Sequence, residues 1–201
     1  MKVKSRRIPA EWEKHECTLL SFPHEGKDWP GKYGAIKWVY IEIIKKITNY
    51  EPVLLIVKSE KLKDTVTGML NQAHIDIKKV GFIIKDTNRS WMRDSGPIIV
   101  KDHEDRRIAL NFSFNGWAKY SDFRKDQGVP ATVASHLKIP VHPVLYNNKQ
   151  VILEGGAIDY NGCGTLITTE ECLLHRKQQV RNPGFSKKDY GNVFREYIND
   201  R

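Results

Sequence analysis

The sequence predicts an α/β fold, and three observations carry that reading. Short apolar runs of strand length alternate with amphipathic stretches of helical period. Helix-start signals stand where the period changes: Ser59, Pro130 and Ser186. The resulting strand–helix units recur at similar spacing although their sequences barely match, which hints at an internal structural repeat.

The elements follow in order. Residues 17–22, CTLLSF, read as a buried strand. Residues 33–47 read as a helix, because Ile36, Val39, Tyr40, Ile43 and Ile47 fall close to three-four spacing. Residues 53–57, VLLIV, are a strand, and Ser59 caps a helix over 60–72. Residues 75–80 and 82–84 are expected to be two further short strands.

A second unit opens at Asp94. Gly96-Pro97 turns the chain into a strand at 98–100, and 102–105 is a polar hairpin loop returning into a strand at 107–114. A helix is expected over 126–137, with Pro130 in its first turn, and a strand over 141–146. The third unit begins with a strand at 151–154. Asn161-Gly162 signals a hairpin into a strand at 164–168, and Ser186 caps a last helix at 187–198. No linker or low-complexity segment interrupts the chain, so residues 1–201 read as a single domain.

Composition narrows the function classes. Of 201 residues, 40% are hydrophobic and 28% charged, as in ordinary globular proteins. No apolar run approaches the ~20 residues that span a bilayer. The basic start lacks the apolar segment of a secretory signal, so the cytoplasm is the expected location. Cys17, Cys163 and Cys172 fit neither a disulfide framework nor a zinc spacing, and they read as reduced structural thiols. In TTEECLL, the flanking glutamates are expected to discourage a Cys172 thiolate. The net charge of +9 is spread along the chain without a nucleic-acid-binding motif, so it reads as a solvated basic surface. No metal cluster or phosphate-binding glycine loop is present, and no cofactor is expected.

Two stretches carry the chemistry: Trp91-Met92-Arg93-Asp94-Ser95-Gly96-Pro97 and Leu153-Glu154-Gly155-Gly156. Each sets a carboxylate beside turn-forming residues, where it can be aimed into a site from a strand end. Two aimed carboxylates suit a cationic substrate, and they also suit the orientation of a catalytic histidine. Read singly, Asp94 is a turn-capping aspartate and Glu154 a strand-end carboxylate paired to a surface lysine.

Six blocks in sequence shift that balance: IPAEWEKHECTLLSFPH at 8–24, DW at 28–29, TNRSWMRDSGPIIV at 87–100, FNGWAKYSDFRKDQGVP at 114–130, LEGGAIDYNGCGTLITTEECLL at 153–174 and RNPGFS at 181–186. Through them the chain resembles the agmatine deiminase and bacterial-type peptidyl-arginine deiminase family. The resemblance implies a pentein-like fold, a five-bladed α/β propeller of which these residues form roughly the first half. It implies a guanidinium substrate, agmatine or an arginine. Composition and motifs argue for no nucleic-acid or membrane partner, and the unfinished sheet predisposes to association, as a homo-oligomer or with a missing C-terminal segment.

By that resemblance, Asp94 grips the guanidinium and Glu154 stands at the same site. Trp91, Trp117 and Trp29 are candidates to line the pocket, since a tryptophan face accepts an alkyl-guanidinium. Arg93 reads as a buried partner for a carboxylate. Asp126 reads as a helix N-terminal carboxylate, with Asp122 close by, and His15 and His24 as structural or surface. Arg89 departs from the aspartate many relatives carry there. The family's late Gly-rich cysteine segment and its GHxD-like histidine segment are not found in the 201 residues, so the chain reads as an N-terminal portion expected to be inactive alone.

Overall fold

The computed structural model describes residues 6–198; the basic start before Arg6 lies outside them. In chain order its strands and helices begin β1 (Arg6–Arg7), β2 (Thr18–Ser21), α1 (Tyr33–Ile47), β3 (Val53–Val57), α2 (Glu60–Gln72), β4 (Val80–Ile84) and α3 (Met92–Ser95). They continue with β5 (Ile98–Asp102), β6 (Arg107–Asn111), α4 (Val129–Leu137), β7 (Val141–Pro143), β8 (Leu145–Tyr146) and β9 (Lys149–Gln150). The last are β10 (Ile158–Tyr160), β11 (Leu166–Thr168), α5 (Glu170–Leu174) and α6 (Lys187–Tyr197). The chain divides into two compact units, one continuous over 14–92 and one split between 6–13 and 93–198.

The continuous unit is built on a parallel sheet in the order β2-β3-β4. Parallel neighbours need a crossover, and α1 and α2 supply the two crossovers. Val53, Leu55 and Val57 alternate along β3 and pack with Ile41 and Ile44 of α1 and Val66 and Leu70 of α2. The ends of α1 and α2 fall where the periodicity puts them, and the Ser59 hydroxyl accepts from the Leu62 N–H as the cap of α2.

The buried face of α1 differs from the expected one. It centres on Ile41 and Ile44, flanked by Tyr40 and Ile47, whereas Val39 and Ile43 are exposed. The helix carries two adjacent apolar stripes, so periodicity alone does not choose between them. The expected strand at 75–80 is replaced by a 3-10 turn, Ile77–Lys79, because the Asp76 carboxylate accepts from the Lys78 N–H and caps it. The strand after it runs through Gly81 without a break. β2 is shorter than 17–22 and mostly half-buried, as suits a strand with one sheet neighbour.

The split unit holds a four-stranded sheet in the order β1-β5-β6-β7, antiparallel except for the β6/β7 pair. Its core gathers Val100 of β5, Leu110 of β6, Val144, Val151, Ile158 of β10, and Tyr190 and Val193 of α6. The expected helix at 126–137 opens as a 3-10 turn, Asp126–Gly128, and becomes α-helical at Val129, with Pro130 in the first turn as read. The expected strand at 141–146 divides: β7 joins the large sheet, while β8 turns through Asn147 and Asn148, both at positive φ, into a separate hairpin with β9. The β10/β11 hairpin forms where Asn161-Gly162 signals it, with Asn161 Oδ1 accepting from the N–H groups of Cys163 and Thr165. Helix α5, capped by Thr169, was not expected.

Residues 151–154 are not a strand. Their ladder is one parallel bridge, Ser113 to Ile152. The bridge uses the Val151 carbonyl and the Leu153 N–H, and the N–H and carbonyl of Ile152 itself are satisfied by a side chain. Asn182 accepts from the Ile152 N–H at 2.9 Å and donates to its carbonyl at 2.7 Å. Helix α6 has a full capping box: Ser186 Oγ accepts from the Asp189 N–H, and Asp189 Oδ2 accepts from the Ser186 N–H at 2.8 Å. Ser186→Ala is expected to cost about 1 kcal/mol in urea unfolding; a loss too small to measure would mean the helix is held by packing alone.

Candidate active site

Asp94 sits in the short helical turn α3, not at a strand end as expected; the strand after it, β5, begins at Ile98. Its carboxylate accepts from the Gly156 N–H and from the Trp117 indole N–H. Glu154 lies just before the 3-10 turn Gly155–Ala157 and is 1% exposed. The two stretches interlock. A Cβ at Gly156 would overlap Asp94 Oδ1, and one at Gly155 would lie 2.5 Å from the Arg93 carbonyl oxygen. Neither glycine is at positive φ, so each is required for space and not for conformational freedom.

Trp117 is carried on a 3-10 turn, Gly116–Ala118, with its own φ at +60°. A tryptophan in the left-handed region is held there by its surroundings. Here the Asn115 side chain accepts from the Ala118 N–H at 2.9 Å, and the Phe114 and Tyr120 rings stand edge-on to the indole at 5.0 and 5.9 Å. The consequence is an indole N–H aimed at Asp94.

The partner of Glu154 is Arg181, a residue the sequence reading quoted in RNPGFS without singling out. Its Nε donates to both carboxylate oxygens, at 3.2 and 3.3 Å, with 6% of its side chain exposed. Glu154 therefore does not pair with a surface lysine. Burial pushes the Asp94 carboxyl up from its ordinary range, against the Gly156 and Trp117 donors and the charges of Arg93 and Arg181. Burial also pushes Glu154 up, with Arg181 opposing and the Asp94 charge adding to the rise.

Arg93 is half-exposed, not buried. It pairs with Glu11 and stands 3.8 Å from Asp159. Asp126 is fully buried at the start of its 3-10 turn. The Cys172 thiol on α5 is raised chiefly by burial, with Glu154 and Asp94 ranking above the flanking Glu171 among the charges that add to the rise. Burial also raises Cys17, while Cys163 is exposed in the β10/β11 loop. Neither of these half-buried thiols, Cys17 and Cys172, is set up as a thiolate.

Asp94, Glu154 and Trp117 thus come together in the split unit. Trp29 and Trp91 form their own pair in the continuous unit, with ring centroids 5.6 Å apart. Beside them the Asp28 side chain, 4% exposed, pairs with Arg89, which accounts for the arginine at that position. His24 packs between the carbonyls of Phe22 and Thr87, and His15 pairs with Glu51 at 3.0 Å. Among the described residues no group of three or more His, Cys, Asp or Glu could hold a metal, and no helix is long and apolar enough to cross a membrane.

Residues 7–201 match the model of the Porphyromonas-type peptidyl-arginine deiminases. The chain belongs to that family. Agmatine deiminase of Stutzerimonas stutzeri is 30% identical over 196 residues, covering 95% of this chain and 50% of the relative. A putative agmatine deiminase of Pectobacterium atrosepticum is 29% identical, covering 95% and 49%. The chain spans about half the length of the curated relatives it matches.

Solved structures agree with the membership. A putative peptidyl-arginine deiminase superposes with a TM-score of 0.80 at 29% identity, over 98% of this chain and 55% of that one. A cysteine-to-serine variant of C. jejuni agmatine deiminase with substrate bound gives 0.81 at 29% identity, over 98% and 55%. The chain has the α/β pentein fold of these deiminases over about half of their length.

Proposed function

We propose that this chain supplies the carboxylate side of a guanidinium-hydrolysing site, with agmatine as the substrate. The observation that carries the proposal is the Asp94–Trp117–Gly156 constellation with Glu154 beside it. A guanidinium is planar, delocalised and positive, and a carboxylate pre-aimed by two N–H donors meets its fork without reorganising. The half-exposed Asp94 takes the substrate cation. The more deeply buried Glu154 orients the acid–base group that moves protons in the reaction.

In the full reaction a thiolate attacks the guanidinium carbon and ammonia leaves. Water then releases the product, so that agmatine and water give N-carbamoylputrescine and ammonia. We read none of Cys17, Cys163 and Cys172 as that nucleophile, so the 201 residues bind the substrate through Asp94 and Glu154 without turning it over. We place the reaction in cytoplasmic polyamine synthesis, and read residues 1–201 as part of one deiminase domain. Peptidyl-arginine is the alternative substrate, favoured by the superposition on a putative peptidyl-arginine deiminase.

Calorimetry with agmatine tests the reading, with a blocked arginine amide as competitor. Asp94→Asn keeps the shape and removes the charge, and it is expected to weaken agmatine binding about tenfold or more. Equal binding by wild type and variant would remove Asp94 from the site, and tighter binding of the blocked arginine would move the substrate to peptides. The guanidinium stays charged throughout, so affinity follows the carboxylates. Both are raised, so binding is expected to fall as pH drops through a range above that of solvated carboxylates. Stability runs the other way for these two groups: a raised carboxyl favours the folded state as it gains its proton.

A further inference from the structure

Two carboxylates that feel each other repel, and desolvation already favours the protonated form of each, the half-exposed Asp94 and the buried Glu154. Something must offset that repulsion if both are to serve as anions. Among the described residues, the buried guanidinium that pairs within this site is that of Arg181. We propose that Arg181 is a positioning residue for this pair: it fixes the Glu154 carboxylate and cancels one of the pair's two negative charges, leaving the charge that matches a single guanidinium. The proposal rests on the reading of the pair as a guanidinium site.

The geometry supports positioning as well as charge. One N–H, on Nε, is shared between both Glu154 oxygens at 3.2 and 3.3 Å, so the carboxylate is centred on it. The guanidinium is itself anchored, since Nη1 donates to the Gln179 carbonyl at 2.8 Å. The next residue holds the same segment by its backbone. Asn182 pairs with both the N–H and the carbonyl of Ile152, and it donates to the Tyr190 hydroxyl at 2.7 Å. Neighbouring side chains thus grip Glu154 and the backbone two residues before it. That grip takes up the Ile152 N–H and carbonyl, which the backbone bonds of Val151 and Leu153 to Ser113 and Val144 do not use.

The titratable and charged groups around the pair are few. Glu154 faces Asp94, Arg181, the Cys172 thiol and the Tyr190 phenol; Asp94 faces Arg93, Arg181 and Cys172 as well. The thiol and phenol are neutral, since burial raises both. Arg93 is matched by Glu11. Arg181 is therefore the buried charge that sets the balance.

The test is a titration of the 201-residue chain labelled with 13C at the glutamate side-chain carboxyls, without ligand, with Glu154→Gln assigning the resonance. Arg181→Met is expected to raise the Glu154 midpoint by about one pH unit or more. Arg181→Lys restores the charge without the planar fork. It is expected to leave the midpoint within about half a unit of wild type. The same Lys variant is expected to bind agmatine about three- to tenfold more weakly, because orientation is lost. If Arg181→Met does not fold, the Lys variant decides: an unchanged midpoint with weakened binding upholds the role, and unchanged binding overturns it. A Glu154 midpoint that ignores Arg181→Met overturns the proposal outright. Absence of agmatine binding by the wild type would defeat the functional reading, while the ligand-free titration still decides the role of Arg181.

Discussion

Glu154→Leu alone is expected to destabilise the split unit by about 3–5 kcal/mol, because it strands the Arg181 guanidinium in a site where both partners are almost inaccessible. Arg181→Met alone should cost a similar amount by stranding the carboxylate. The informative variant is the double one. Glu154→Leu with Arg181→Met puts apolar groups in place of both ions, and a buried pair so replaced is often as stable as before. The double variant is therefore expected to recover most of the loss, to within about 1 kcal/mol of wild type, while agmatine binding stays absent. Urea unfolding of the four proteins completes the cycle. Single variants that lose less than about 1 kcal/mol would mean that water screens the pair. Full recovery of stability without binding would identify the pair as retained for chemistry at no gain in folding.

The second large effect separates two neighbouring glycines. A Cβ at Gly155 meets the Arg93 carbonyl oxygen, which is backbone and cannot turn aside without unwinding α3. Gly155→Ala is expected to cost about 3 kcal/mol of stability. A Cβ at Gly156 meets the Asp94 carboxylate, which can rotate away. Gly156→Ala should thus cost only about 1–2 kcal/mol. Rotation breaks the hydrogen bonds from Gly156 and Trp117, so agmatine affinity should fall about 10- to 100-fold. Thermal unfolding read beside calorimetry distinguishes them. Equal losses of stability in the two variants would show that the α3 backbone moves as readily as the carboxylate.

Where a feature is local, the sequence displays it. The bounds of α1 and α2 and the start of α6 could be read from period and caps alone, because Ser59 and Ser186 act on backbone within three residues of themselves. The carboxylates of the site were visible because glycines stand next to them, although the reason differs. The glycines of 155–156 make room for the 93–94 turn, a contact across some 60 residues that no local pattern announces. The same holds for 151–154, whose apolar composition reads as strand but whose Ile152 backbone pairs with the Asn182 side chain. Arg181 was hidden for a related reason. An arginine in a loop reads as surface until its carboxylate is known, and only its place in the RNPGFS block could have marked it. Asn147-Asn148 and Asp76 were legible turn and cap signals that the apolar runs around them obscured.

The division into a continuous and a split unit has a consequence for the order in which the chain takes shape during synthesis. Every strand pairing of the β2-β3-β4 sheet lies between Thr18 and Ile84, so that sheet can close as soon as Ile84 has left the ribosome. Among the described strands β1 is made before the others and waits longest for its partner. Its partner β5 begins only at Ile98, and the loop that must close around the interval contains the whole continuous unit. Once that unit is compact the loop is far shorter in effective length, and the entropy of bringing Arg7 to Lys101 falls accordingly. The carboxylate pair comes later still, since Glu154 is left without a counter-ion until Arg181 emerges some 27 residues behind it.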